Sequence, residues 1–413
     1  MQATTNDARR AGFDADRLVA LTPALQKYVD DGDLSGAVTL VWRRGAEAHF
    51  AAVGKRDIER NLPMTRDTLF RIASMTKPVT SVAAMMLREE GKLGLDDPIS
   101  RWIPELGKQR VLRAPDRALD DTVPAEREIT VDDLMTHRSG LAYAFTSIGP
   151  IAKAYEKALP PGLAPDAWLA ALGKLPLSFQ PGARFHYSHS TDVLGFLVGR
   201  IAGMPFRDFV RERILVPLEM TDTDFYTPPA KRDRAAVVYR PDAGKLVPVP
   251  FPEPKTPPTF CSGGGGLVST LDDYLRFARM MLNGGELDGA RLLAKPSVQL
   301  MALNRLTPAQ RAIPFMGIPF WVGQGFGLGL SVVTDPEKQA WMGVGSRGAF
   351  GWPGAFGTWW QADPTEDMVL LFLIQNSLPL GPEMASQLAT GQRLGARAAL
   401  PEFQRLVHAA IAR

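Results

Sequence analysis

Sheet-forming stretches stand near both ends of this chain, and the residues between them read mainly as helices. Near the start, GAVTLVWRRGAEAHFAAVG (36–54) reads as two strands joined by a tight turn at Arg44-Gly45. Near the end, GAFGTWWQAD (354–363) and MVLLFLIQ (368–375) flank a turn at Pro364 and read as an antiparallel hairpin. From about residue 96 to 260 helical segments such as 192–203 and 206–215 dominate, separated by Pro-bearing loops. The economical arrangement is one α/β lobe built from both ends, residues 1–95 and 261–413, with a mainly helical lobe, residues 96–260, inserted into it. A cleft between two such lobes is the expected place for a site.

Shorter patterns fill in this plan. Residues 14–29 and 401–413 have the spacing of amphipathic helices. After Ser74, apolar residues recur at Val79, Val82, Ala83 and Met86, the buried face of a helix that Gly91 stops. VPVPFPEPKTPP (247–258) reads as an extended wrap over a surface. SGGGG (262–266) lacks the lysine of a phosphate-binding loop and reads as a close backbone approach. In the following STLDD, Thr270 and Asp273 have the spacing of a helix cap. No internal repeat is present.

Composition narrows the function. The 413 residues are 45% apolar and 22% charged, as in soluble globular chains. A net charge of +3 without clustered Lys/Arg argues against nucleic acid or a membrane surface as partner. The longest apolar run, 368–374, is too short to span a bilayer. A single cysteine, Cys261, precludes an internal disulfide and fits a reducing compartment. The N-terminal residues lack the apolar core of a signal peptide, so a cytoplasmic location is expected, with a removed leader left open. Oligomeric state is not legible.

The chemistry centres on RIASMTKPV (71–79), which places Ser74 and Lys77 three residues apart at a helix start. Residues so spaced share a helix face. A serine hydroxyl needs a base to become a nucleophile. A lysine near the positive end of a helix, and buried, is disfavoured in its charged form. Against this stands the bland alternative that the serine is an N-cap and the lysine a solvated side chain. No other serine here has a lysine three residues on, and no Gly-x-Ser-x-Gly elbow occurs.

Other candidates fare less well. His186 and His189 have a spacing that suits a metal, but no Cys/His/Asp cluster completes a site, so neither metal nor cofactor is expected. GVGSRG (343–348) is followed by glycines and Pro353, not by a helix, which argues against a dinucleotide site. His137 and Ser139 are two residues apart and read as a structural loop. Of the aromatic residues Trp341, Trp352, Trp359, Trp360, Tyr143 and Phe145, the best candidates for lining an acyl pocket are Trp352 and Tyr143.

SMTK does not stand alone. LMTHRSGL (134–141), FHYSHSTDVLG (185–195), CSGGGGLVSTLDDYLRFARMML (261–282) and GWPGAFGTWWQADP (351–364) follow it in order. Together these motifs resemble the serine hydrolases related to class C β-lactamases and penicillin-binding proteins, and most closely their esterase branch, the family VIII carboxylesterases. The resemblance spans roughly residues 15–400. It implies a β-lactamase/DD-peptidase-like fold of the α+β type, an antiparallel sheet flanked by helices. It also implies that Ser74 is the acylated nucleophile, Lys77 the motif lysine and Tyr187 the catalytic tyrosine. The backbone N–H groups of Ser74 and Ala355 would form the oxyanion hole, with Trp352, Gly354, His189 and Tyr143 against the substrate.

Two departures bear on specificity. His189 stands where β-lactamases carry an asparagine that contacts the substrate amide, and Trp352 replaces a lysine that binds the substrate carboxylate. The implied activity is therefore that of a serine esterase on small, neutral, short-acyl carboxylic esters. A β-lactamase, a D-amino-acid peptidase or amidase of the same fold, and an acyltransferase using the same acyl-enzyme are the alternatives. A non-catalytic binding protein is disfavoured because Ser74, Lys77 and Tyr187 are all kept.

Overall fold

The computed structural model describes residues 5–339, 345–380, 386 and 395–412. Its main element is an eight-stranded antiparallel sheet drawn from both ends of the chain. In spatial order the strands are Gln324–Phe326, Ser331–Val333, Phe350–Gly351, Trp359–Asp363, Met368–Leu373, Gly36–Arg43, Ala46–Asp57 and Leu62–Pro63. The join lies in the middle, where Val38 faces Leu373 and Arg43 faces Met368.

Alternation explains why the central strands are buried throughout. On Gly36–Arg43, Val38, Leu40 and Trp42 point to one face and Ala37 and Val41 to the other. The first face packs on the helix Leu271–Leu282 through Phe277 and Met281, in the same apolar cluster as Val79 and Val82 of the helix Thr76–Glu89. The second packs on the helices Leu21–Asp30 and Ala396–Ala409 through Leu21, Leu25, Phe403 and Val407. Helices on both sides leave no wet face, so the strands read as near-continuous apolar runs.

Turn chemistry fixes the two hairpins. Arg44 and Gly45 both have positive φ (51° and 79°), as a two-residue turn of type I′ requires. After Asp363 the chain turns through Pro364, and the Asp363 carboxylate accepts the N–H groups of Thr365 and Glu366. Arg43 is 1% exposed and binds Glu366 at 2.7 Å and the carbonyls of Ala11 and Gly12 at 2.8 and 2.9 Å. It ties the central strand to both ends of the chain.

Several expected boundaries shift for local reasons. The helix expected over 14–29 breaks into Ala15–Leu18 and Leu21–Asp30. The strand expected from 354 begins only at Trp359, because residues 352–358 form a loop with Gly357 at φ 85°. The C-terminal helix starts earlier, at Ala396, and takes Pro401 inside it. The segment 206–215 is helical but its second half, Arg211–Leu215, widens to a π turn. Thr270 caps the helix Leu271–Leu282 by accepting the Asp273 N–H. Of the motif at 343–348, Gly343 and Val344 lie outside the described residues, as does Trp341. No helix among the described residues is long and apolar enough to cross a membrane.

Candidate active site

Ser74 is held by a clamped turn. The short strand Phe70–Arg71 pairs with Val268–Ser269 and runs into a 3-10 turn, Ala73–Met75, that opens the helix Thr76–Glu89. Ser74 therefore sits just before the α-helix and not in its first turn. The turn is tied down from outside: Ile72 N–H donates to Leu267, Tyr274 OH donates to the Met75 carbonyl at 2.8 Å, and Thr358 Oγ1 donates to the Ile72 carbonyl. Ala73 has φ 45°, a left-handed conformation that a residue with a Cβ adopts only under constraint. That constraint sets the direction in which Ser74 projects.

Two side chains meet its hydroxyl. Lys77 Nζ lies 3.1 Å from Ser74 Oγ, and Tyr187 OH lies 2.7 Å from it. Lys77 is 1% exposed and also donates to the Gly264 carbonyl at 2.6 Å. Tyr187 OH accepts the indole N–H of Trp352 at 3.0 Å. The three residues expected to share the chemistry are thus in direct contact.

Tyr187 is positioned from behind. His137, fully buried, packs against its ring at 4.6 Å between centroids, the two planes tilted by 50°. His137 Nδ1 accepts the Ser188 N–H, which leaves Nε2 to face Thr191 Oγ1. Burial, then the charge of Lys77, holds the His137 imidazole well below its usual range. Ser139 bonds Ser190 at 2.7 Å. His137 and Ser139 are therefore separate props for the Tyr187 segment and form no dyad.

A second layer went unread in the sequence. The Asp192 carboxylate accepts from Ser262 Oγ at 2.5 Å, Gly264 N–H at 3.0 Å, His189 Nδ1 at 2.8 Å and Tyr143 OH at 3.5 Å. Burial alone would raise this carboxyl, but the bond to His189, the Ser262 hydroxyl and the Lys77 charge hold it below the ordinary carboxylate value. Tyr143 sits between Asp192 and Lys77, 3.4 Å from Nζ. Burial, then the negative charge of Asp192, pushes its phenol well above the usual range, so it is a neutral donor. Gly264 joins the layers, with its carbonyl on Lys77 and its N–H on Asp192. A Cβ there would lie 2.7 Å from Tyr143 OH. The signal in the sequence was an aspartate in the first turn of the helix Ser190–Ala202, which reads equally well as an ordinary helix-start carboxylate.

The cavity that Ser74 lines has a volume of about 380 Å³. Ala355, Tyr143 and His189 line it, as do Phe145, Trp168 and Phe260. The Ala355 N–H has no acceptor among the described residues. Gly354 is not a lining residue. A Cβ there would lie 2.1 Å from Thr358 Oγ1 and 2.4 Å from the Ile72 carbonyl, so its smallness brings the Ala355 loop against the Ser74 turn. Trp352, 2% exposed, lies one layer back with its N–H on Tyr187. Trp359 and Trp360 are in the sheet core. His186 lines a different cavity from His189, so the two do not converge.

Comparison with known proteins places the whole chain. A family model described as Beta-lactamase matches residues 21–390. The chain belongs to the beta-lactamase family. Protein Rv1367c of Mycobacterium tuberculosis is 52% identical over 392 residues, 94% of this chain and 98% of its own. Esterase EstB of Burkholderia gladioli is 31% identical over 400 residues, 90% of this chain and 94% of that one. Among solved structures, EstCE1, a hydrolase with promiscuous acyltransferase activity, superposes with a TM-score of 0.75 at 27% identity, covering 94% of this chain and 99% of its own. This family member accordingly has the fold of β-lactamase-related serine hydrolases and acyltransferases, and the expected α+β architecture with its large antiparallel sheet holds.

Proposed function

We propose that this protein is a serine esterase that cleaves carboxylic esters with short, neutral acyl groups through an acyl-enzyme on Ser74. The observation that carries the reading is the placing of Ser74 Oγ between Lys77 Nζ at 3.1 Å and Tyr187 OH at 2.7 Å, at an apolar cavity. The site would lie between a lobe made of residues 1–95 and 261–413 and a lobe made of residues 96–260. Similarity to the esterase EstB and to the hydrolase EstCE1 supports ester hydrolysis.

In this mechanism the Ser74 proton passes to the Lys77–Tyr187 pair, whose two members titrate together. Ser74 Oγ bonds to the ester carbonyl carbon. The resulting oxyanion takes the N–H groups of Ser74 and Ala355, donors that need no rearrangement. The C–O bond to the alcohol breaks, and Tyr187 returns the proton to the leaving oxygen. Water then adds to the acyl carbon, giving its proton to the same pair and releasing the acid and Ser74. Trp352 puts an indole N–H on Tyr187 where a β-lactamase-type lysine would offer charge to a substrate carboxylate. That replacement favours esters over β-lactams.

The test compares p-nitrophenyl butyrate with nitrocefin, each against a Ser74→Ala control. Fast ester cleavage lost in the variant, with slow nitrocefin turnover, is the expected result. Ester cleavage unchanged in Ser74→Ala refutes the nucleophile, and fast nitrocefin turnover refutes the preference. A second reading, acyl transfer to an alcohol in place of water, is favoured by the acyltransferase activity named for EstCE1. Adding a primary alcohol and measuring new ester against free acid separates the two.

A further inference from the structure

A second cavity, of about 290 Å³, adjoins the site. Tyr187, whose hydroxyl touches Ser74, is one of its walls, and Phe145 is a wall of both cavities. Its body is aromatic: Phe185 packs edge-on against Phe315 at 5.4 Å and Trp321 at 4.8 Å. Phe145 and Ile148, among its lining residues, are 45% and 59% exposed, so its rim is apolar too.

Against this apolar lining stand four buried polar atoms without a hydrogen-bond partner among the described residues: Arg184 Nε, His186 Nε2, Ser147 Oγ and Ser178 Oγ. These four atoms have almost no surface of their own, so a ligand in the cavity meets other atoms of Arg184 and His186, two of its lining residues. Arg184 is the most telling. Its guanidinium lies 4.3 Å over the Phe179 ring, yet no carboxylate among the described residues pairs with it. Burial, then the nearby charge of Arg184, brings the His186 imidazole down to about 4, which keeps it neutral and able to donate one N–H. One cation and one neutral imidazole on the lining of an aromatic slot match a single carboxylate on a flat apolar body.

We propose that this cavity holds the alcohol portion of the ester, and that this portion carries a carboxylate that binds Arg184 and His186. The proposal rests on the reading of Ser74 and Tyr187 given above, because the leaving oxygen must lie beside the Tyr187 hydroxyl that protonates it. The acyl group occupies the cavity lined by Trp168 and Phe260 and stays neutral.

The experiment has a binding arm and a kinetic arm, both on the full chain. In the first, 4-hydroxybenzoate and the uncharged 4-hydroxybenzamide are titrated calorimetrically into the wild-type protein and into Arg184→Gln and Arg184→Lys. The benzoate is expected to bind about tenfold or more tightly than the amide, as a charge-assisted pair implies. Arg184→Gln removes that preference and Arg184→Lys restores part of it. In the second, kcat/KM for 4-(butyryloxy)benzoic acid is divided by that for its methyl ester. The ratio exceeds one in the wild type and falls about tenfold in Arg184→Gln. Equal binding of benzoate and benzamide by the wild type overturns the proposal without any variant. So does a preference that Arg184→Gln leaves intact. Ester turnover surviving in Ser74→Ala would overturn the catalytic reading instead, and the binding arm would still decide whether the cavity takes a carboxylate.

Discussion

Replacing Asp192 by asparagine tests whether the buried layer beneath Lys77 is what holds the site together. The side chain keeps its shape but trades one acceptor oxygen for an NH₂ group. Whichever way the amide turns, that group faces either Ser262 and Gly264 or His189 and Tyr143, all of which donate to the carboxylate. Two charge-assisted bonds are lost at a residue that is 4% exposed. At about 1.5–3 kcal/mol each, with partial relaxation, the cost is about 3–5 kcal/mol. Unfolding entropy of roughly 2.1 cal/mol/K per residue gives about 0.9 kcal/mol per degree for 413 residues, so Tm falls by about 3–6 °C at pH 7. The pH dependence follows from the same carboxylate. Its folded value lies below its unfolded one, because its donors outweigh burial. Its contribution is therefore complete above the ordinary aspartate value near about 4 and is lost as pH falls through the folded value. Calorimetric melts of both proteins between pH 7 and pH 3 should show a gap that narrows only below about pH 4. A gap under about 1 °C at pH 7, or one that persists unchanged to pH 3, would refute the reasoning.

Three further outcomes are expected. Tyr187→Phe removes the hydroxyl 2.7 Å from Ser74 and should lower kcat on p-nitrophenyl butyrate by about 10²–10⁴-fold. It also leaves the buried Trp352 N–H unpaired, and urea unfolding should show a loss of about 1–3 kcal/mol. Gly264→Ala drives a Cβ to 2.7 Å from Tyr143 OH and 3.0 Å from Asp192, and should cost at least about tenfold in kcat with a lowered Tm. Gly265→Ala, whose nearest atom is 3.7 Å away, should leave the Tm unchanged. Arg43→Met strands the carbonyls of Ala11 and Gly12 and the carboxylate of Glu366, and urea unfolding should show a loss of about 3–5 kcal/mol.

The residues that meet at Ser74 were legible because each sits in a motif with its own local chemistry. Ser74 and Lys77 declare themselves by spacing, and Tyr187 by its place in an ordered set. The two terminal hairpins were legible because a period of two, or a continuous apolar run, has few other uses. Asp192 was not legible, since a carboxylate in a first helical turn carries the same signature whether it faces water or four donors. The same holds for Trp168, Phe260 and Trp321, whose positions depend on how helices and loops of the middle segment fold over the site. Trp352, expected to line the acyl pocket, instead stands one layer behind it with its N–H on Tyr187. Its placing behind Tyr187 depends on the loop before Trp359, which the sequence reads as a continuing strand. Nor does any motif mark Arg184. Its lack of a carboxylate partner is a property of the folded chain.

The pairing of Gly36–Arg43 with Met368–Leu373 has a consequence for biosynthesis. During translation the first hairpin emerges early, with one edge of its central strand facing nothing. Its permanent neighbour leaves the ribosome only after most of the remaining chain. At about 5–20 residues per second that interval is on the order of tens of seconds, during which an apolar strand edge is open to the wrong partner. The sheet face that packs on the helix Leu271–Leu282 is completed in the same late event. A nascent chain stalled before residue 368 would therefore be an aggregation hazard rather than a partly active enzyme. Joining the adjacent chain ends, where Phe13 bridges Ile411, and reopening the chain within the middle segment would let the two hairpins be made in succession and shorten that exposure.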